Sequence, residues 1–224
     1  MTSTHLQAYH LAKSYTIDER PITVLDDISL AVAIGEFLVI EGESGSGKST
    51  LLSLLSGLDK PDRGRIVLDG TDITDLDEDA LAPFRNRTIG FVFQSFHLIP
   101  SLTALENVMF PAELNGDRMA ADNALTLLDR VGLTPRRQNF PHQLSGGEKQ
   151  RVAICRAMIN KPKIIFADEP TGNLDSSNGA TILRLLLQLR KEHDTTLVLA
   201  THSGEIASKA DRAIRLTDGR MKEV

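Results

Sequence analysis

Cysteine and long apolar runs are the two things this chain has least of. A single cysteine, Cys155, stands among 224 residues, so no internal disulfide framework can form and the composition fits a reducing compartment. It lies in the run Val152-Ala153-Ile154-Cys155, which predicts a buried structural thiol and not a reactive one. No stretch approaches the about 18 consecutive apolar residues that a membrane-spanning helix needs. The first twenty residues alternate polar and apolar types, without the hydrophobic block of a signal peptide. The expectation is a soluble domain whose membrane role, if any, comes through a partner. Basic excess is missing too. Lysine and arginine number 25 against 30 acidic residues, a formal charge of −5. That removes an overall basic face for gripping nucleic acid, though local basic patches stay open. There is no internal repeat, low-complexity tract or long linker.

What is present is the make-up of an ordinary globular protein, 41% hydrophobic and 25% charged. Strand patterns occupy residues 6–11, 28–32 and 37–40. The last is a continuous apolar run, as expected for a strand covered on both faces. A Gly-rich loop follows, then a helical stretch over 48–58 with Leu51, Leu52, Leu54 and Leu55. Residues 65–68, closed by Asp69-Gly70, read as strand and turn. Residues 103–114, 118–131 and 148–159 read as helices. They predict a helical lobe over 94–161, inserted into a sheet core made of 1–93 and 162–224. Strand–helix alternation resumes with strands at 163–167, 196–200 and 212–216 and a helix at 176–191. This order predicts an α/β fold with a mostly parallel sheet. The strands before Gly35 are candidates for a separate antiparallel layer.

The most specific local feature is Gly42-Glu43-Ser44-Gly45-Ser46-Gly47-Lys48-Ser49-Thr50. It fits G-x-x-x-x-G-K-[ST] and follows a strand and opens a helix, which is the context that the pattern needs. Glycines let backbone N–H groups turn inward around phosphate oxygens. The helix beginning near Lys48 adds the positive end of its dipole. Lys48 can reach the β and γ phosphates, and the Ser49 hydroxyl is placed to ligate Mg²⁺.

Ile164-Ile165-Phe166-Ala167-Asp168-Glu169 is an apolar strand ending in two carboxylates. The carboxyl ends of parallel strands line the ligand crevice, which puts Asp168 beside the phosphate loop. There it can hold Mg²⁺ directly or through water, while Glu169 can orient or deprotonate an attacking water.

Leu144-Ser145-Gly146-Gly147-Glu148 precedes a helix, with Ser145 as a natural N-cap. Two glycines at a helix start make a second anion site. One chain already has a complete phosphate cradle, so a second makes sense if it closes over the nucleotide of another copy. This string, between the phosphate loop and the acid pair, resembles the signature of ABC-type ATPases, and the resemblance extends along essentially the whole chain. It implies a P-loop NTPase (RecA-like) parallel-sheet core with an amino-terminal antiparallel β layer and an inserted helical lobe. It implies ATP and Mg²⁺ as cofactors, and a homodimer sandwiching two ATP head to tail. By the same resemblance Gln94 senses Mg²⁺ and the membrane partner, and Asp175, in Asn173-Leu174-Asp175, belongs to the loop that communicates across the dimer. His202 contacts the γ-phosphate as a catalytic partner of Glu169 and Lys48, and Tyr15 stacks on adenine. Every base has a π-face, so stacking alone leaves ATP against GTP open.

Two longer stretches, FVFQSFHLIPSLTALENV over 91–108 and ADEPTGNLD over 167–175, resemble the ATPases of the lipoprotein-release, macrolide-export and cell-division class. That resemblance implies an integral membrane permease with an extracytoplasmic domain as partner, no direct nucleic acid, and a peripheral place on the cytoplasmic face of the inner (plasma) membrane. Its work would be export, lipoprotein extraction or mechanotransmission. Residues 96–115, with Phe96, Leu98, Ile99, Leu102 and Leu105, are apolar enough to receive a short permease helix, or else to pack the lobe. The alternative is a soluble ABC ATPase acting on ribosomes or nucleic acid, which would ordinarily carry a second cassette, a long coiled coil or a basic extension. A GTPase or small-molecule kinase would leave the Ser-Gly-Gly helix start and the paired acids unexplained.

Overall fold

The computed structural model of the chain describes residues 4–223. β1 (Thr4–Ile17) and β2 (Arg20–Ala33) form a hairpin much longer than the apolar stretches at 6–11 and 28–32. Pairing continues past those stretches, from Lys13↔Leu25 to Ile17↔Arg20. The chain then reverses through Asp18 and Glu19, both at positive φ (47° and 64°), the twist that suits a two-residue hairpin turn.

β3 (Phe37–Glu41) runs straight into α1 (Lys48–Leu55). After it come β4 (Arg63–Leu68) and β5 (Thr71–Asp72), then α2 (Glu78–Thr88) and β6 (Ile89–Val92). Helices α3 (Ala104–Leu114), α4 (Ala120–Arg130) and α5 (Gly146–Met158) fill the chain between β6 and the next strand. β7 (Ile164–Asp168), α6 (Ser176–Glu192), β8 (Thr196–Thr201), α7 (Gly204–Ala207), β9 (Arg212–Thr217) and β10 (Arg220–Glu223) complete the fold. One sheet is antiparallel, in the order β2-β1-β4-β5; the other runs β10-β9-β3-β8-β7-β6 and is parallel except for β10.

Alternation along the central strands sorts the core. Leu38 and Ile40 of β3 face a cluster that includes α1 and the antiparallel sheet, whereas Phe37 and Val39 face one with α6, as a period of two requires. A third cluster, from Ala104 and Val108 to Leu128 and Val152, is built by α3, α4 and α5 with Leu133, Leu144 and Ile159 from the segments that flank them. The fold class is therefore the α/β arrangement expected, with its antiparallel layer and its inserted helices. Cys155 is fully buried in the third cluster, and burial pushes its thiol up to about 12, which keeps it protonated and inert.

His5 joins the two sheets. Its Nδ1 lies 2.6 Å from Thr196 Oγ1 at the start of β8, an oxygen that also accepts from Gly35 N–H. Burial lowers the imidazole below its ordinary 6.5; Asp69 opposes that shift and Lys163 adds to it. The unfolded chain therefore takes up this proton first. The stability that neutral His5 contributes is complete above about pH 6.5 and is lost as pH falls from there through the folded value. Urea midpoints at about pH 8 and about pH 5.5 should show a smaller acid loss in His5→Gln than in the native chain. Equal losses would take His5 out of the seam's acid response.

Candidate active site

The site starts where β3 runs out. Gly47 has φ 102°, and a Cβ there would press to 3.0 Å on both Val24 O and Leu25 Cδ2, so only glycine makes this turn into α1. No side chain caps the helix start, so its first N–H groups are free to meet an anion. Lys48 folds back over the loop, donating to the carbonyls of Gly42 and Glu43 at 2.8 Å each. Its side chain is 7% exposed, and its ammonium lies 3.8 Å from Glu169 Oε1.

Two carboxylates close the opposite side. Asp168, the last residue of β7, has its carboxyl raised by burial; a hydrogen bond from Ser49 and the charge of Lys48 pull the other way, and Glu169 adds to the rise. Its Oδ1 is buried with no hydrogen-bond partner among the described residues. A buried acceptor left unpaired is costly, and a hard cation taking oxygen ligands would satisfy it together with the Ser49 hydroxyl. This donor set fits magnesium. Glu169 adopts a left-handed backbone, φ 41°, rare for a residue with a side chain. Its N–H donates to Ala200 O and its carbonyl accepts from Gly172 N–H, both at 3.0 Å. Its carboxylate meets Thr201 Oγ1 at 3.2 Å and His202 Nδ1 at 3.0 Å. Nδ1 must carry the proton in that bond, because a carboxylate only accepts.

The residues singled out in the sequence divide between two faces. Ser44, Gly45, Gly47, Lys48, Ser49 and Thr50 line one cleft with Gln94, Glu169 and His202. Gly42 and Ser46 line the adjoining recess, so close that a Cβ on Gly42 would sit 2.6 Å from Ser46 Oγ. Tyr15 stands beside the loop, 40% exposed, with its hydroxyl next to Thr50 and 2.8 Å from Asp59 Oδ2. Ser145, Gly146, Gly147 and Asp175 are absent from the cleft lining. Ser145 and Glu148 form a reciprocal capping box at the start of α5. Gly146 faces Leu174, Gly147 faces Asn178, and Asp175 caps α6 by accepting from Asn178 N–H at 3.0 Å.

Two contributors escape sequence reading. Thr201 ends a buried strand, and the strand-end rule that points to Asp168 also marks it. Val24 lines the cleft, and no pattern in the sequence announces it. Asn173, read in advance only as part of the Asn173-Leu174-Asp175 loop, donates its amide to Gln94 O at 2.9 Å.

Comparison with known proteins shows the family. A model of the family described as ABC transporter matches residues 25–172. The ABC transporter ATP-binding protein YbbA of Escherichia coli K12 is 47% identical over 220 residues, covering 97% of this chain and 96% of that one. The lipoprotein-releasing system ATP-binding protein LolD of Shewanella frigidimarina is 46% identical, over 98% of this chain and 92% of its own. The macrolide export ATP-binding/permease protein MacB of Rhodopirellula baltica is 47% identical over 97% of this chain, which spans 32% of that longer protein. Among solved structures, the ATP-binding cassette MJ0796, a dimer in a post-hydrolysis state bound to ADP and Pi, superposes with a TM-score of 0.89. It is 41% identical, over 97% of this chain and 98% of that one.

Proposed function

The chain belongs to the ABC transporter family as an ATPase cassette, and on that premise we propose that it drives a separate integral membrane permease through ATP-dependent closure of a head-to-tail dimer. The observation that carries the closure is the division of the site between two faces. Lys48, Glu169 and His202 share one cleft, while the Ser145–Gly147 helix start of the same chain lies elsewhere. Two copies related by a twofold axis bring the missing terminus to each cleft. Solved relatives of the cassette are dimers, which supports that reading. Asp168 and Ser49 would hold Mg²⁺, which supplies charge neutralisation on the phosphates. The loop 42–50 binds the phosphates, Tyr15 the base, and Glu169 accepts a proton from the attacking water, with His202 orienting its carboxylate.

A groove beside β6 supports the permease. Phe91 and Phe93 stack at 4.1 Å, Phe93 and His97 at 4.4 Å, and with Ile89, Pro111 and Arg156 they line it. β6 is an edge strand of its sheet. Leu98 and Leu105, by contrast, pack against the helical cluster, so of the apolar segment 96–115 only His97 and Pro111 reach the groove. Arg156 donates to the carbonyls of Phe96 and His97, and Asn173 to that of Gln94. A permease helix seated here would feel both α5 and the loop after β7. The partner we propose carries an extracytoplasmic domain, and the subunit sits peripherally on the cytoplasmic face of the inner membrane. No helix among the described residues is long and apolar enough to cross a membrane itself. The ribosome or nucleic-acid reading finds no support among the relatives. Tagged Glu169→Gln, recovered with ATP from gently extracted membranes of the native host, should bring down a stoichiometric multi-span protein, and Phe93→Asp in the same background should lose it. Recovery of ribosomes or nucleic acid with no membrane protein would overturn the permease reading and leave the ATPase untouched.

A further inference from the structure

Tyr15 does not stand on its strand alone. α1 ends in a Schellman motif: Gly57, at φ 66°, donates to Leu54 O at 3.0 Å and Leu58 to Ser53 O at 2.9 Å. The residue that this cap delivers next is Asp59. Its Oδ2 accepts from the Tyr15 hydroxyl at 2.8 Å and its Oδ1 from Lys13 Nζ at 2.9 Å. Lys13 Nζ donates also to Lys60 O at 2.7 Å and lies 5.2 Å from the centre of the Tyr15 ring. Two further bonds clasp the same turn to β1: Asp62 N–H to Ala12 O at 2.9 Å, backbone to backbone, and Ser14 N–H to the Asp62 carboxylate Oδ2 at 2.7 Å. The Lys13 side chain is 11% exposed, so the ammonium is fixed and not a waving surface charge. Burial opposes ionisation of Asp59, but the hydrogen bonds from Lys13, Tyr15 and the Lys60 amide hold its carboxyl below the ordinary range.

We propose that Asp59, pinned by Lys13, is a positioning residue for the nucleotide: it sets the direction of the Tyr15 ring relative to the phosphate loop. One helix of eight residues, α1, then governs both ends of the ligand, with its amino terminus at the phosphates and its capped carboxyl end holding the aromatic platform. The inference rests on the reading of Tyr15 as the base contact. A tyrosine turning freely about χ1 and χ2 would have to be ordered each time a base arrives, and that entropy comes out of affinity. The clamp orders the ring beforehand. The effect falls on binding and not on the chemical step, so KM moves while kcat stays.

The test measures KM and kcat for ATP, and inhibition by inorganic tripolyphosphate, which engages the phosphate loop without a base. Tyr15→Ala should raise KM about tenfold, within the range for loss of one base–aromatic stack. Asp59→Asn and Tyr15→Phe should each raise it about threefold, and the double variant no more than either alone, the non-additivity expected of one shared interaction. The tripolyphosphate inhibition constant should stay unchanged in all of them. Native KM in both Asp59→Asn and Tyr15→Phe, with KM raised in Tyr15→Ala, would overturn the clamp and leave the platform standing. Native KM in Tyr15→Ala would remove the platform itself. Weaker tripolyphosphate inhibition in Asp59→Asn would make Asp59 a support of α1 and overturn its role toward Tyr15.

Discussion

Glu169→Gln should bind ATP at least as tightly as the native chain and hydrolyse it about 10²–10⁴ times more slowly, the span that a positioned general base supplies. The substitution keeps size and shape, so the left-handed turn at this residue and its backbone bonds to Ala200 and Gly172 have no reason to change. The amide oxygen can still accept from His202, and the amide NH₂ that replaces the other oxygen can donate to the Thr201 hydroxyl. What disappears is the basic oxygen and one negative charge 3.8 Å from Lys48. Losing that charge relieves repulsion against a triphosphate and frees the lysine for it, which is why affinity holds or rises. With hydrolysis stopped, the closed dimer accumulates, because its population is set by its contacts to ATP. Steady-state ATPase, equilibrium ATP binding and size-exclusion chromatography with and without ATP read the three effects separately. Turnover within a few-fold of native would remove Glu169 from the base's role. Lost ATP binding would make it a structural support of Lys48.

The residues that could be read in advance are those whose role is local. Phe37 to Ile40, Ile164 to Ala167 and Leu197 to Ala200 are apolar throughout because both faces of their sheet are covered, so they announce a buried strand whatever surrounds them. The phosphate loop is legible for the same reason, since the chemistry of Gly47 and Lys48 lies within nine consecutive residues. α2 is not. It carries Pro83 inside and only one buried apolar residue, Leu81, so its periodicity is weak. It forms because Asp77 caps it, accepting from Ala80 N–H, and because it packs against β6. α5 begins at Gly146, two residues before the helical pattern starts, because the Ser145–Glu148 box satisfies the first turn where glycine propensity would not. The bond from Tyr15 to Asp59 joins residues 44 positions apart. No spacing rule reaches that far. That Ser145 and Gly147 belong to another copy's nucleotide is legible only through the signature resemblance; their absence from this chain's cleft lining follows from how α3, α4 and α5 pack, which no local pattern records.

That orientation has a sharp consequence. Gly147→Asp should cut ATP hydrolysis by about 10²–10³, the cost of losing one preorganised donor at a developing charge, while ATP binding by the separate chain changes less than about twofold. An added carboxylate at the second residue of α5 suits the helix itself, because the amino-terminal dipole favours negative charge. Its Cβ would come to 3.2 Å from Asn178 Oδ1, and that amide, which donates to Asp175 Oδ2 at 2.6 Å, must shift by a few tenths of an ångström. Gly147 is buried, so thermal unfolding is measured alongside: a melting temperature near native assigns the loss to the site and not to a damaged fold. The same carboxylate would confront the γ-phosphate held by the other copy, so ATP should no longer bring two chains together, even in the Glu169→Gln background. Sedimentation with ATP measures that directly. Native ATPase in Gly147→Asp would sink the shared site. Loss of ATP binding by the lone chain would put Gly147 on its own cleft, and the division of the site between two faces would no longer call for a second copy.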